Sequence, residues 1–288
     1  MTDASREGVE TARPPKPPRE DFERVSHGEK RNDPYHWMQN RSDPRVARLV
    51  EEENEYTDQS MEHTVPLQKT LFNEYKGRIK EPDESVPVRI DNYIYYWRHD
   101  VGAQYAVRYR RQVLGDDSYG DEEIYFDENS LASEHAYFAV DDIQQSPDHT
   151  LAAYSADANG SERNTIYVRN ISTNELLPDT LQNAGSFAWA ENGQEIIYTT
   201  LDEKRIPREV RRHVLGTSQE SDVLIQREED LSYGLSVSKS LSRDVILITR
   251  GHLIGSKTAG RTEVSFISSS DTQPALMKIA EGAPGLDY

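Results

Sequence analysis

What most limits the shape of this chain is a repeat. From residue 83 on, short β-forming runs arrive in four groups of four, with a period of roughly 45 to 50 residues. Runs rich in Val, Ile, Tyr, Phe and Thr fall at residues 86–90, 93–98, 105–111 and 124–127, and again at 136–141, 151–155, 165–170 and 176–177. A third group covers 186–190, 195–200, 210–214 and 223–227, and a fourth covers 235–237, 245–249, 263–267 and 275–279. Asp, Asn and Gly turns separate the runs. In the last three groups the first two strands are joined by corresponding turns: Ser146-Pro147-Asp148, Glu191-Asn192-Gly193 and Ser242-Arg243-Asp244. Four-stranded sheets at this spacing are the blades of a β-propeller. A β-sandwich of short strands is the alternative with similar local patterning. A propeller interrupted after four blades leaves unpaired strand edges, so the chain reads as an all-β, partial β-propeller over residues 83–288.

The segment before the repeat has a different grammar. Residues 1–20 are polar and carry Pro14, Pro15, Pro17 and Pro18, the composition of an extended arm. Residues 21–82 form a helical N-terminal extension. Asp43 is placed to cap a helix with Pro44 at its first position, and Val46, Leu49, Val50 and Tyr56 give it a broken apolar face. A second helix is marked by Leu67, Leu71, Tyr75 and Ile79, four residues apart, with Phe72 beside them. Gly77 weakens that helix by about 1 kcal/mol relative to Ala.

Charge narrows the partners. The formal net charge is -18, from 51 acidic and 33 basic residues, which repels phosphates and argues against nucleic acid. The same surface attracts basic peptides and suits a salt-rich interior. With no cysteine, the chain has no disulfide, thiol nucleophile or Cys-based zinc site. No apolar run approaches the length of a membrane span, and the N-terminus lacks the apolar stretch of a signal peptide, so the expected address is cytoplasmic.

Motifs that could carry chemistry are few. Gly251-His252-Leu253-Ile254-Gly255-Ser256-Lys257-Thr258 is reminiscent of a phosphate-binding loop, but only three residues separate the glycines and Ser256 stands where Lys is needed. A strand pattern follows instead of a helix, so the segment reads as a loop between strands. There is no Gly-x-Ser-x-Gly, the nucleophile elbow of an α/β-hydrolase. The eight histidines show no metal-binding spacing, and no metal or cofactor is expected. His27 and His36 flank a charged turn, where caps and surface hydrogen bonds account for them. Asp141-Asp142 and Glu51-Glu52-Glu53 read as charge on solvated faces. Tyr93, Tyr95, Tyr96 and Trp97 read as strand packing, with Tyr95 and Trp97 on one face.

Several segments, in order, resemble the prolyl oligopeptidase family, and oligopeptidase B most. His27-Gly28-Glu29-Lys30-Arg31-Asn32-Asp33-Pro34-Tyr35-His36-Trp37-Met38 is similar to its N-terminal signature. The helix from Pro44-Arg45-Val46 to Glu53-Asn54-Glu55-Tyr56-Thr57 follows, then Arg78-Ile79-Lys80-Glu81, Ser85-Val86-Pro87 and Tyr93-Ile94-Tyr95-Tyr96-Trp97-Arg98. Ser146-Pro147-Asp148, Leu151-Ala152-Ala153-Tyr154-Ser155 and Asp157-Ala158-Asn159-Gly160-Ser161-Glu162 look like one of its blades. Phe187-Ala188-Trp189-Ala190, Tyr198-Thr199-Thr200-Leu201-Asp202-Glu203 and Arg212-His213-Val214-Leu215-Gly216-Thr217 extend the match.

The resemblance implies a seven-bladed propeller that limits access to a Ser-Asp-His site in a C-terminal α/β-hydrolase domain, with oligopeptidase B cutting short peptides after Arg or Lys. Against that pattern this chain supplies about four blades and no member of the triad. It is expected to be a substrate-gating portion, inactive alone, whose partners are short basic peptides and the missing hydrolase domain, with the helical extension packing on that domain. Glu162 and Arg163 are the candidate contacts to substrate or to the hydrolase domain; as residues alone they read as exposed turn charges. A stand-alone propeller that binds basic peptides or a protein partner is the alternative function.

Overall fold

The computed structural model describes residues 13–115, 118–253, 262–271 and 275–280. They fall into two compact units, one up to Lys80 and one from Glu81 onward.

In the first unit, β1 (Glu23–Ser26) and β2 (Glu29–Asn32) form an antiparallel hairpin. Its turn is made by His27 and Gly28 at φ of 52° and 82°. Trp37 is buried in a single 3-10 turn, donates its indole N–H to the Pro18 carbonyl at 2.9 Å, and lies 4.4 Å under the Arg45 guanidinium. Helix α1 (Pro44–Met61) starts as its capping residue dictates, the Asp43 carboxylate accepting from the Arg45 N–H at 3.0 Å. Helix α2 (Val65–Arg78) also forms where the four-residue period places it. Its apolar stripe is not covered: Leu67, Leu71, Phe72, Tyr75 and Ile79 are all exposed, and Trp37 is the one buried hydrophobic side chain described in this unit. Glu51, Glu52 and Glu53 lie exposed along α1, as a solvated charge run should.

The second unit is built of antiparallel blades, the first of five strands because two short segments share its edge position and the others of four. In the first, β3 (Asp83–Glu84) and β4 (Val88–Ile90) both pair with β5 (Tyr93–His99), followed by β6 (Val107–Gly115) and β7 (Ser118–Asp127). A short helix, α3 (Glu128–Ala132), capped by Asp127, leads to the second blade: β8 (Ala139–Gln145), β9 (Leu151–Asp157), β10 (Asn164–Asn170) and the first half of β11 (Leu176–Trp189). The third blade takes the second half of β11, then β12 (Glu195–Leu201), β13 (Pro207–Val214) and β14 (Val223–Arg227). The fourth is β15 (Tyr233–Lys239), β16 (Val245–His252), β17 (Glu263–Ser268) and β18 (Met277–Ala280). Among the described residues the sheets do not close on one another, so the unit is an open, partial propeller.

The β1–β2 hairpin inside the segment expected to be helical and the short helix α3 are missing from the sequence reading, which also divides one strand in two. Residues 176–177 and 186–190, expected as separate strands, belong to a single strand of 14 residues that joins two blades into one seven-stranded sheet. The sequence between them breaks alternation because the strand changes neighbours there: Leu176–Ala184 pairs with β10 and Ala184–Trp189 with β12, Ala184 meeting both. The crossover needs Gly185, since a Cβ there would sit 2.6 Å from the Thr199 hydroxyl.

The core lies between blades. Tyr95, Phe126, Phe138 and Tyr154 fill the first interface, Ile166, Leu181, Phe187, Trp189 and Ile196 the second, and Ile197, Val210, Leu235, Ile246, Ile248 and Ile267 the third. Each fully buried side chain of this size contributes about 1.5–3 kcal/mol relative to its exposed state. Strands packed on both faces lose the apolar-polar alternation, which is why β9 reads as the continuous run Leu-Ala-Ala-Tyr-Ser-Ala.

The turns between first and second strands repeat in detail. Ser146, Ala190 and Ser240 each donate their N–H to the first residue of the next strand, Leu151, Glu195 and Val245, at 2.8, 2.9 and 3.0 Å. Each also accepts from the residue three positions on: His149, Gly193 and Arg243. The turns do correspond, but the sequence alignment of them was out of register: Ser146 is equivalent to Ala190 and Ser240, not to Glu191 and Ser242.

Candidate functional site

These turns bring a set of charged side chains to one end of the four blades. The first blade contributes the β4–β5 turn at Asp91, the second His149, the third Gly193 and the fourth Arg243. All four residues have positive φ, at 53°, 61°, 66° and 67°. Glycine adopts that conformation freely, whereas a side chain there costs of order 1 kcal/mol or more. The third blade has the glycine. In the other three the strained residue carries a functional group, and the three groups meet.

Arg243 donates both terminal nitrogens to Asp91, Nη1 to Oδ2 at 2.6 Å and Nη2 to Oδ1 at 2.7 Å, across 152 residues of sequence. His149 reaches Asp91 Oδ2 through Nε2 at 3.2 Å and the Tyr95 hydroxyl through Nδ1 at 2.7 Å. His149 is buried, its carbonyl accepts from Arg110 Nη1 at 2.5 Å, and Tyr93 packs against its ring. The hydrogen bonds from Arg243 hold the Asp91 carboxyl below the usual carboxylate range, with burial partly opposing them. Burial pushes the Tyr95 phenol up to about 12.

This cluster borders a cavity of about 530 Å³ whose wall includes Arg89, Lys239 and Arg243, with Trp189, Ile90 and Ile143 as apolar surface. Trp189 is fixed by its own indole N–H, which donates to the Gln144 carbonyl at 3.1 Å. Lys239 pairs with Glu191, and Arg89 Nε donates to the Asp91 carbonyl at 3.0 Å.

Glu162 and Arg163 lie elsewhere, in the β9–β10 turn. Asp157 organises that turn, its buried carboxylate accepting the N–H groups of Asn159, Gly160 and Glu162 at 3.0, 3.0 and 2.7 Å. Burial alone would raise the Asp157 pKa, but those backbone donors outweigh it and hold it low. Glu162 pairs with Arg205 of the next blade. Arg163 donates to Asn183 Oδ1 at 3.1 Å and to the Asp202 and Glu203 carbonyls at 3.2 and 2.8 Å. The two residues join the corresponding turns of the second and third blades, and neither borders the cavity.

A second buried cluster lies where the second and third blades share β11. His213 faces Asp222 through Nδ1 at 2.7 Å and Asp179 through Nε2 at 3.1 Å. Tyr198 donates to Asp222 at 2.7 Å and the Gly216 N–H to Asp179 at 2.5 Å. Burial pulls the imidazole pKa down, but the two carboxylates outweigh it and raise it above its ordinary value.

The remaining sequence candidates take ordinary places. His36 stacks on Phe22, Asp142 accepts from Gln144, and Asp141 is exposed. Gly251 and His252 belong to β16, and residues 254–258 lie outside the described residues. Among the described residues no group of three or more His, Asp or Glu is placed to hold a metal, and no helix is long and apolar enough to cross a membrane. Sequence reasoning named Arg243 only as a turn residue and did not single out Asp91, His149 or Asp179. A histidine at the turn position where the neighbouring blade has glycine was the available signal.

Comparison with known proteins decides the family. The profile "Prolyl oligopeptidase, N-terminal beta-propeller domain" matches residues 14–279. The chain belongs to the prolyl oligopeptidase N-terminal propeller family. Among curated relatives it is 33% identical over 267 residues to Protease 2 of Moraxella lacunata, covering 91% of this chain and 38% of that protein. It is 34% identical over 242 residues to dipeptidyl aminopeptidase BI of Pseudoxanthomonas mexicana, covering 78% and 34%. Oligopeptidase B from Leishmania major superposes with a TM-score of 0.83 at 25% identity, covering 95% of this chain and 40% of that one. The Trypanosoma brucei enzyme with covalently bound antipain gives 0.81 at 26% identity, again covering 95% and 40%. The chain thus spans between about a third and two fifths of the length of these relatives.

Proposed function

We propose that this chain is the substrate-gating, N-terminal portion of an oligopeptidase B-like serine peptidase, acting on short peptides with Arg or Lys at the cleavage point and inactive by itself. The observation that carries the reading is the superposition of 95% of the chain on oligopeptidase B at a TM-score of 0.83. Two features support it. The sequence contains no Gly-x-Ser-x-Gly and therefore no elbow to present a serine nucleophile. The net charge of -18 raises the local concentration of basic peptides.

On this reading residues 21–82 are the helical extension that packs on the hydrolase domain, and the uncovered stripe of Leu67, Leu71, Phe72 and Tyr75 on α2 is the face that does so. Residues 83–288 supply about four of the blades that screen substrates, in a cytoplasmic enzyme. Glu162 and Arg163 contribute contacts to substrate or hydrolase domain in addition to joining two blades.

Incubating the purified chain with an Arg-containing fluorogenic peptide tests the claim. No turnover is expected; robust hydrolysis blocked by a serine-directed inhibitor would defeat it.

A further inference from the structure

The cavity at the Asp91–Arg243 end of the blades has a chemistry that the peptidase reading does not use. The chain as a whole is strongly acidic, yet this wall carries the cations Arg89, Lys239 and Arg243 against the single carboxylate of Asp91. Asp91 is already neutralised: Oδ1 accepts from Arg243, and Oδ2 accepts from Arg243 and meets His149. The cations keep spare donors. Arg89 uses only Nε, and its two terminal nitrogens have no partner among the described residues. Lys239 has one carboxylate partner for three N–H donors. Ile90 and Ile143, both part-exposed, offer apolar surface beside them, and about 530 Å³ is the size of a small-ligand site. The backbone of three turns is held in the left-handed region to present Asp91, His149 and Arg243 here, a conformation that the third blade reaches with glycine instead.

We propose that this cavity binds a carboxylate, delivered by a short peptide and held by Arg89, Lys239 and Arg243 with the peptide's apolar part against Ile90 and Ile143. The carboxylate has two possible sources, an acidic side chain or a free peptide C-terminus, and both present the same planar acceptor to guanidinium and ammonium donors. The site needs only this chain's residues, so it stands or falls independently of the peptidase reading.

Isothermal titration of the 288-residue chain tests it with three probes: acetyl-Ala-Glu-Glu-Ala amide, tetra-alanine with a free C-terminus, and tetra-alanine amide. Saturable binding of the first with the amide silent assigns side-chain carboxylates; saturable binding of the second with the amide silent assigns the terminal one. Either supports the site, provided Lys239→Gln and Arg89→Gln each weaken it roughly tenfold, the loss of one charge-assisted hydrogen bond. Those two variants leave the Asp91–Arg243 pair intact, so the test does not depend on Arg243→Gln folding. Arg205→Gln, outside the cavity, should leave binding unchanged. Absence of saturable binding with both carboxylate probes, or binding indifferent to Lys239→Gln and Arg89→Gln, overturns the proposal.

Discussion

The environment of His213 is satisfied only when the ring carries both protons, because Asp222 and Asp179 each require a donor from it. Arg211 lies nearby, donating to the Asp222 carbonyl, and Tyr198 supplies a neutral donor. The sign follows from the raised pKa of the folded state. The stabilisation is complete below the ordinary histidine value of 6.5 and is lost as pH rises through the higher folded value. Urea unfolding midpoints should therefore decline as pH rises above 6.5 in the native chain. In His213→Gln that slope should be absent, and the variant should be less stable by about 3 kcal/mol at pH 6, since two buried carboxylates lose their cation. An unchanged slope in the variant would assign the pH dependence to another group. None of this was legible in the residues alone. His213 stood in the sequence as part of a family-like run, but Asp179 lies 34 residues away in a stretch without strand periodicity. Only the path of β11 brings the two together.

At the scale of elements, legibility tracked burial. Strands such as β5 and β10 announced themselves as β-branched and aromatic runs between polar turns, and α1 by the Asp43-Pro44 pair that starts it. The strand that joins two blades was hidden because it exchanges one set of neighbours for another midway, and its pattern answers to both. Gly185 marks the exchange. Gly185→Ala places a methyl against Thr199, which is fully buried and cannot retreat, so the substitution should cost about 1–3 kcal/mol. Thr199→Ala removes the obstructing hydroxyl. A double-mutant cycle read by urea denaturation should show Gly185→Ala far milder in that background, and simple additivity would place the strain elsewhere. The α2 stripe teaches the complementary lesson. Its four-residue period correctly specified a helix, but period alone does not say what covers the face.

For the molecule as a whole, 51 acidic against 33 basic residues mean that repulsion between like charges exceeds what the ion pairs offset. Salt shortens the Debye length from about 10 Å at 0.1 M to about 3 Å at 1 M, which relieves long-range repulsion more than it weakens contacts at hydrogen-bond distance. The thermal midpoint should rise by about 3 °C or more between 0.1 and 1 M sodium chloride. A falling midpoint, followed by scanning calorimetry, would mean that the surface pairs dominate instead. The propeller architecture itself was legible from the period of the strand groups and the matched turns. The cavity was not, because its residues come from positions 89 to 243 and meet only when the blades stand side by side.

The 14-residue strand has a last consequence. Propeller blades are usually pictured as beads that can be added, lost or exchanged one at a time. Here the second and third beads share a thread: no cut between them spares a hydrogen-bonded ladder, so duplication, deletion or engineering of this region has to treat the pair as its smallest movable part.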